Sequence, residues 1–178
     1  MISRYFFSSL VIIGTFLSAS IAYAQPVTFE RQIITSSAAR RIVDICAATA
    51  AAEFPVPVAI AVVDPFGALI EFHSMQGAGE TNGTTAVLKA KTAARWRRSS
   101  AAVNQMVTSG ANEAPVWIGD FPQPGGVAIM IDGMVVGAVG IGGLPRVPHL
   151  HGEPCVIAAI EAVFGPGTTT PPMVLEPQ

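Results

Sequence analysis

The chain has 178 residues, 51% of them hydrophobic and 12% charged, with a formal net charge of −2. That length points to one domain, and a weakly acidic chain without a basic run argues against nucleic acid as the partner. So few charges cover a surface poorly, so the composition predicts a homo-oligomer that buries part of its surface against copies of itself.

Residues 1–24 come first in chain order. Arg4, an apolar stretch over 10–17 and the small residues ending Ala22-Tyr23-Ala24 make the three-part pattern of a secretory signal peptide with an A-x-A cleavage site. Ser8, Ser9, Gly14 and Ser18 make the same segment a weak membrane span. The expectation is cleavage after residue 24, a domain over 25–165 and a periplasmic or secreted location. No membrane partner is expected after cleavage, because no later stretch is long and apolar enough to span.

Residues 35–53 read as a helix, capped by Ser36 or Ser37, with Ile42, Ile45 and Cys46 at helical spacing. Pro55 and Pro57 stop it. Residues 58–64 are a continuous, largely β-branched apolar run, the pattern of a buried strand. The stretch Asp64-Pro65-Phe66-Gly67 has the turn residues at the right positions, and 68–75 is the return strand of a hairpin. A glycine-rich loop over 76–85 leads to a helix over 84–98, with Thr84 as its cap, and a second, bent helix over 99–109. Residues 110–126 are long and irregular, a pattern that is usually functional or covers something. Asp132-Gly133 between two apolar runs predicts a second hairpin over 127–143. The last helix covers 153–165, with Pro154 in its first turn and Gly165-Pro166 ending it. The proline-rich tail, 166–178, reads as extended or disordered. Two hairpins among helices make an α+β fold on an antiparallel sheet. Both faces of that sheet are apolar, so helices should cover both.

These elements carry a pattern that resembles the GlcG/HbpS-type heme-binding family, whose fold is shared by the C-terminal domain of PduO-type proteins. The residues that carry it are Val63-Asp64, Gly67 and Leu69 in the first hairpin, then Met75, Gly77 and Ala78. Lys89-Ala90 and Thr92-Ala93 follow on the helix, then Gly125-Gly126-Val127 and the run DGMVVGAVGIGG over 132–143. The likeness spans 37–164. Ser74 and Gln76 stand where the family motif has Arg and Asp, Gly142 where it has Ser, and Glu153 is the nearest acid after the second hairpin. The resemblance implies a profilin-like fold with a five-stranded antiparallel sheet between helices. It also implies oligomers, often octamers built from dimers, and heme as the ligand.

Candidate ligand-binding residues follow from side-chain chemistry. His149 and His151, at i and i+2 in an extended segment, point the same way, and neutral imidazole is a ligand for heme iron or zinc. Two histidines fall short of a zinc site even with Glu153 as a third, oxygen ligand, so no dedicated metal site is expected. His73 and Met75 share one face of the second strand, and a His/Met pair ligates heme in cytochromes; a strand end facing a neighbouring subunit is the plainer alternative. The helix over 84–98 carries Lys89, Lys91, Arg95, Arg97 and Arg98. Cations there suit heme propionates or a small carboxylate, or else form a solvated face ending in a basic turn. Lys89 and Thr92 are singled out because they occupy the K-A-x-T-A positions of the family motif. The glycine-rich run over 77–83 lacks the G-K-[ST] ending of a phosphate loop. Cys46 and Cys155 permit one pairing; the resemblance implies that their helices pack together, and two buried thiols are the alternative. The expectation is an exported oligomeric heme-binding protein that stores, carries or senses heme. The alternative is an enzyme acting on a carboxylate-bearing metabolite at a subunit-interface pocket, with Lys89 as its cation and a histidine as general base.

Overall fold

The computed structural model describes residues 30–144 and 152–170. The expected leader, His149, His151 and residues 171–178 lie outside the described residues. Helix α1 covers Ser36–Glu53, strand β1 Ala59–Val63 and strand β2 Leu69–Ser74. Helices α2 (Glu80–Trp96), α3 (Ser100–Thr108) and α4 (Ala114–Trp117) follow. Strands β3 (Gly126–Ile131) and β4 (Met134–Gly142) and helix α5 (Glu153–Phe164) complete the described elements.

The sheet is antiparallel throughout, in the order β2-β1-β4-β3. Helices lie on both faces, as the apolar strands required. Alternation along β1 separates two cores. Val58, Ile60 and Val62 face α1 and α5, where Ile42, Cys46, Val156 and Ile160 are buried with them. Each such fully buried Val or Ile contributes about 1.5–3 kcal/mol. Ala59, Ala61 and Val63 face α2, which answers with Ala86, Ala90 and Ala93. Small residues on both sides let the α2 backbone lie almost on the sheet. A Cβ at Gly140 would overlap the Ala86 carbonyl, so β4 passes under the helix only as glycine there.

Several local expectations need correction. The sheet has four strands among the described residues, not five. The place beyond β3 is taken by a single bridge, Ile129 to Thr169, flanked by Met130 N–H donating to the Thr168 carbonyl (2.7 Å) and Thr170 N–H to the Ala128 carbonyl (3.2 Å). Pro171 and Pro172 follow at once and have no N–H to extend a ladder. The α1 cap is Thr35, whose Oγ1 accepts from Ala38 N–H at 3.2 Å, and not Ser36 or Ser37. Helix α2 starts four residues before the expected cap, at Glu80 after Gly79, so Thr84 lies inside it and donates to Glu80 Oε1 at 2.6 Å.

Both turns behave as their residues predict. Asp64 Oδ1 accepts from Phe66 and Ala68 N–H, each at 2.8 Å. Asp132 and Gly133 both take positive φ, 49° and 73°, which suits a two-residue hairpin loop. Arg97, in the left-handed region at φ 54°, separates α2 from α3. The irregular stretch after α3 is pinned by Asp120, whose carboxylate accepts from Arg95 at 2.8 Å and Trp96 Nε1 at 2.6 Å. Cys46 and Cys155 are joined by a disulfide between α1 and α5, with Cα atoms 5.7 Å apart, so the reading of two inert thiols is set aside.

Candidate functional site

Among the described residues, three concavities border α2. The most polar of the larger two, about 430 Å³, is lined by Asn82, Thr85, Lys89, Phe121, Gln123 and Leu144, with Thr81 and Gly143 at its margin. Lys89 is buried at 8% exposure and donates to the Ile141 carbonyl at 2.9 Å, a bond across 52 residues of sequence. Glu153, also 8% exposed, opens α5, where a carboxylate complements the helix dipole, and accepts from Gly125 N–H at 3.5 Å. A Cβ on Gly125 would stand 3.3 Å from Lys89 Nζ, so a buried cation and a buried anion converge on this one glycine. Thr92 has no exposed surface; its hydroxyl donates to the Leu88 carbonyl (2.8 Å) and accepts from Phe121 N–H (2.9 Å). It thereby holds Phe121 at the wall of the pocket.

The second concavity is an apolar groove of about 570 Å³ between α2 and β2. Leu69, Phe72, Val87 and Leu88 form its middle, and Ser74, Glu80 and Thr84 its polar end. Gly83 lies under the Phe72 ring; a Cβ there would sit 3.1 Å from Phe72 Cζ. The third, about 200 Å³, lies at the other end of the same helix face, between the Pro65-Phe66-Gly67 turn and Lys91, Ala94 and Arg95.

The structure brings Lys89, Thr92 and Glu153 into one polar framework, although they stand on two helices far apart in sequence. His73 and Met75 are not part of it. His73 is exposed and paired with Ile60, so both face the α1 side of the sheet, and Met75 packs against the core on that side. The expected parity therefore holds, while Phe72 turns to the α2 side. His149 and His151 lie outside the described residues, between Leu144 at the polar pocket and Gly152 before α5. Among the described residues no three His, Cys, Asp or Glu side chains cluster as a metal site, and no helix is long and apolar enough to cross a membrane.

Sequence reasoning missed the groove and the polar pocket's Asn82, Thr85, Phe121 and Gln123. The groove had a signal: residues 80, 83, 84, 87, 88 and 91 recur at helical spacing along one stripe. That stripe was hidden by placing the helix start at Thr84.

A family model described as "Haem degrading protein HbpS-like" matches residues 34–161. Among solved structures, a double mutant of Streptomyces reticuli HbpS superimposes with a TM-score of 0.66 at 23% identity, covering 83% of this chain and 98% of that one. The Klebsiella pneumoniae protein ORFY gives 0.67 at 21% identity, covering 79% and 99%. The PduOC:heme complex gives 0.64 at 21% identity, covering 76% and 98%. No curated protein matches the chain significantly.

Proposed function

The chain belongs to the HbpS-like family, and on that premise we propose that it is an exported, self-associating heme-binding protein. The observation that carries the reading is the groove between α2 and β2. Its volume, about 570 Å³, and its apolar middle of Leu69, Phe72, Val87 and Leu88 suit a flat macrocycle. That a relative of the same fold is described as a heme complex adds support.

The donor set of the groove fits the ring better than the iron. Among the described residues its lining offers a carboxylate from Glu80 and hydroxyls from Ser74 and Thr84, but no His, Met or Cys. His73 and Met75 face the α1 side of the sheet, away from the groove, so a bound iron would be held by His149 or His151. Lys89, Thr92 and Glu153 act in this reading as the buried frame that fixes Phe121 and Gly125. The Cys46–Cys155 disulfide and the A-x-A pattern at Ala22–Ala24 support an oxidising, extracytoplasmic location. Exposed Val116, Trp117 and Ile118 support self-association.

Hemin titration of the protein lacking residues 1–24 tests the reading. A saturable Soret shift is expected, weakened in whichever of His149→Ala or His151→Ala removes the ligand and unchanged in His73→Ala, which lies on the other face of the sheet. The family description as haem-degrading makes time-dependent bleaching of that band the second readout. A titration curve no different from that of an unrelated apolar protein would overturn heme binding.

A further inference from the structure

The apolar groove and the small cavity beyond it form one trough with unequal ends. On α2, Glu80, Thr84, Leu88, Lys91 and Arg95 follow one another at three- or four-residue steps and so share a face. Opposite them the chain runs from Ser74 back through Phe72 and Leu69 to Gly67 and Phe66. Lys91 is one helical turn beyond Leu88, and Gly67 is two residues before Leu69, so the two concavities adjoin. From Thr84 to Lys91 the helix rises about 10 Å, a length that suits a porphyrin.

The trough is graded. Its near end is polar and carries one acid, Glu80; its middle is apolar; its far end is cationic. Three cations gather there. Arg95 is already engaged by Asp120 at 2.8 Å. Arg31 stacks on the exposed Phe66 ring, 4.9 Å from its centroid. Lys91 has its stem against Gly67, with Cγ 3.5 Å from where a Cβ would stand. Among the described residues Lys91 is exposed and makes no hydrogen bond or ion pair. The nearest acid of the turn, Asp64, uses Oδ1 on two backbone N–H groups.

We propose that this trough takes a flat, apolar ligand bearing carboxylates along one edge, with the carboxylates at Lys91 and the Arg31–Phe66 pair. The inference deepens the heme reading and rests on it: the macrocycle lies against Leu69, Phe72, Val87 and Leu88, and both propionates leave by the cationic end. Glu80 sets the polarity, because a carboxylate at the near end would meet its like charge. The groove alone accommodates an apolar ring in either direction; the charge gradient selects one.

Hemin and hemin dimethyl ester, which keeps ring and iron but caps both carboxylates, test this against wild type, Lys91→Glu, Leu69→Asp and Arg98→Glu. Arg98 is an exposed cation off the trough that contacts Met106, and serves as the charge control. Wild type should bind hemin more tightly than the ester. Lys91→Glu should weaken hemin about 10-fold, the size of a lost charge-assisted contact, and leave the ester unchanged. Leu69→Asp should weaken both, and Arg98→Glu neither. Equal affinity of wild type for hemin and ester, an unaffected Lys91→Glu or Leu69→Asp, or an equal loss in Arg98→Glu overturns the trough while leaving heme binding in place. Absence of saturable hemin binding in wild type removes the heme reading itself, and the inference with it.

Discussion

Breaking the Cys46–Cys155 bridge should cost this domain a large part of its stability. The bond closes a loop with a sequence separation of 109. In the chain-entropy model a loop of that length restricts the unfolded state by about 5 kcal/mol at 25 °C, and measured bridges fall in the range of about 2–4 kcal/mol. Neither cysteine is replaced by a void on reduction, and both sites are buried, at 0% and 6% exposure. The thiols behave as small apolar groups there, so the loss should be mainly that of the cross-link. A loss of about 3–5 kcal/mol with a urea slope near 2 kcal/mol/M moves the midpoint by roughly 2 M. Urea unfolding followed by circular dichroism, with and without a phosphine reductant and in the Cys46→Ala/Cys155→Ala double variant, measures it. The double variant should lie at or below the reduced protein, because it also loses the sulfur volume. Midpoints that coincide with and without reductant would refute the reasoning, since the bridge would then not constrain the unfolded chain.

Two further substitutions probe the α2 interface. Gly140→Ala places a methyl group in the Ala86 carbonyl; the helix must lift off the sheet, and a thermal melt should show a loss of about 3 kcal/mol. A melt within experimental error of wild type would mean that α2 does not lie as close to β4 as described. Lys89→Met takes the donor from the buried Ile141 carbonyl and the nearby cation from the buried Glu153, so denaturant unfolding should show a loss of about 3 kcal/mol or more. Lys91→Met, at an exposed position on the same helix, should change stability by less than about 0.5 kcal/mol; equal losses in the two variants would contradict the buried setting of Lys89.

Local signals along the chain specify the elements and their kind. Periodicity marked α1 by Ile42 and Cys46, turn chemistry at Asp64–Gly67 and Asp132-Gly133 marked both hairpins, and apolar strands demanded helices on both faces. Those signals are local, because hydrogen bonding within a turn and side-chain spacing along a helix depend on neighbours in sequence. The family pattern of small residues at Ala90, Ala93 and the β4 glycines was also readable, but its reason was not. Only the tertiary structure shows that these positions are small because a helix backbone rests on a strand. Distances across the fold were likewise beyond the sequence. Lys89 reads from sequence as a cation for a ligand carboxylate, yet docking of α2 buries it against a carbonyl 52 residues away. Lys91, two residues on, points the other way along the same helix and lines the trough beside β2. Cys46 and Cys155 permitted a bond, and the packing of α1 on α5 decided it. Composition and spacing set which groups are present; which of them meet is decided by how close the layers pack.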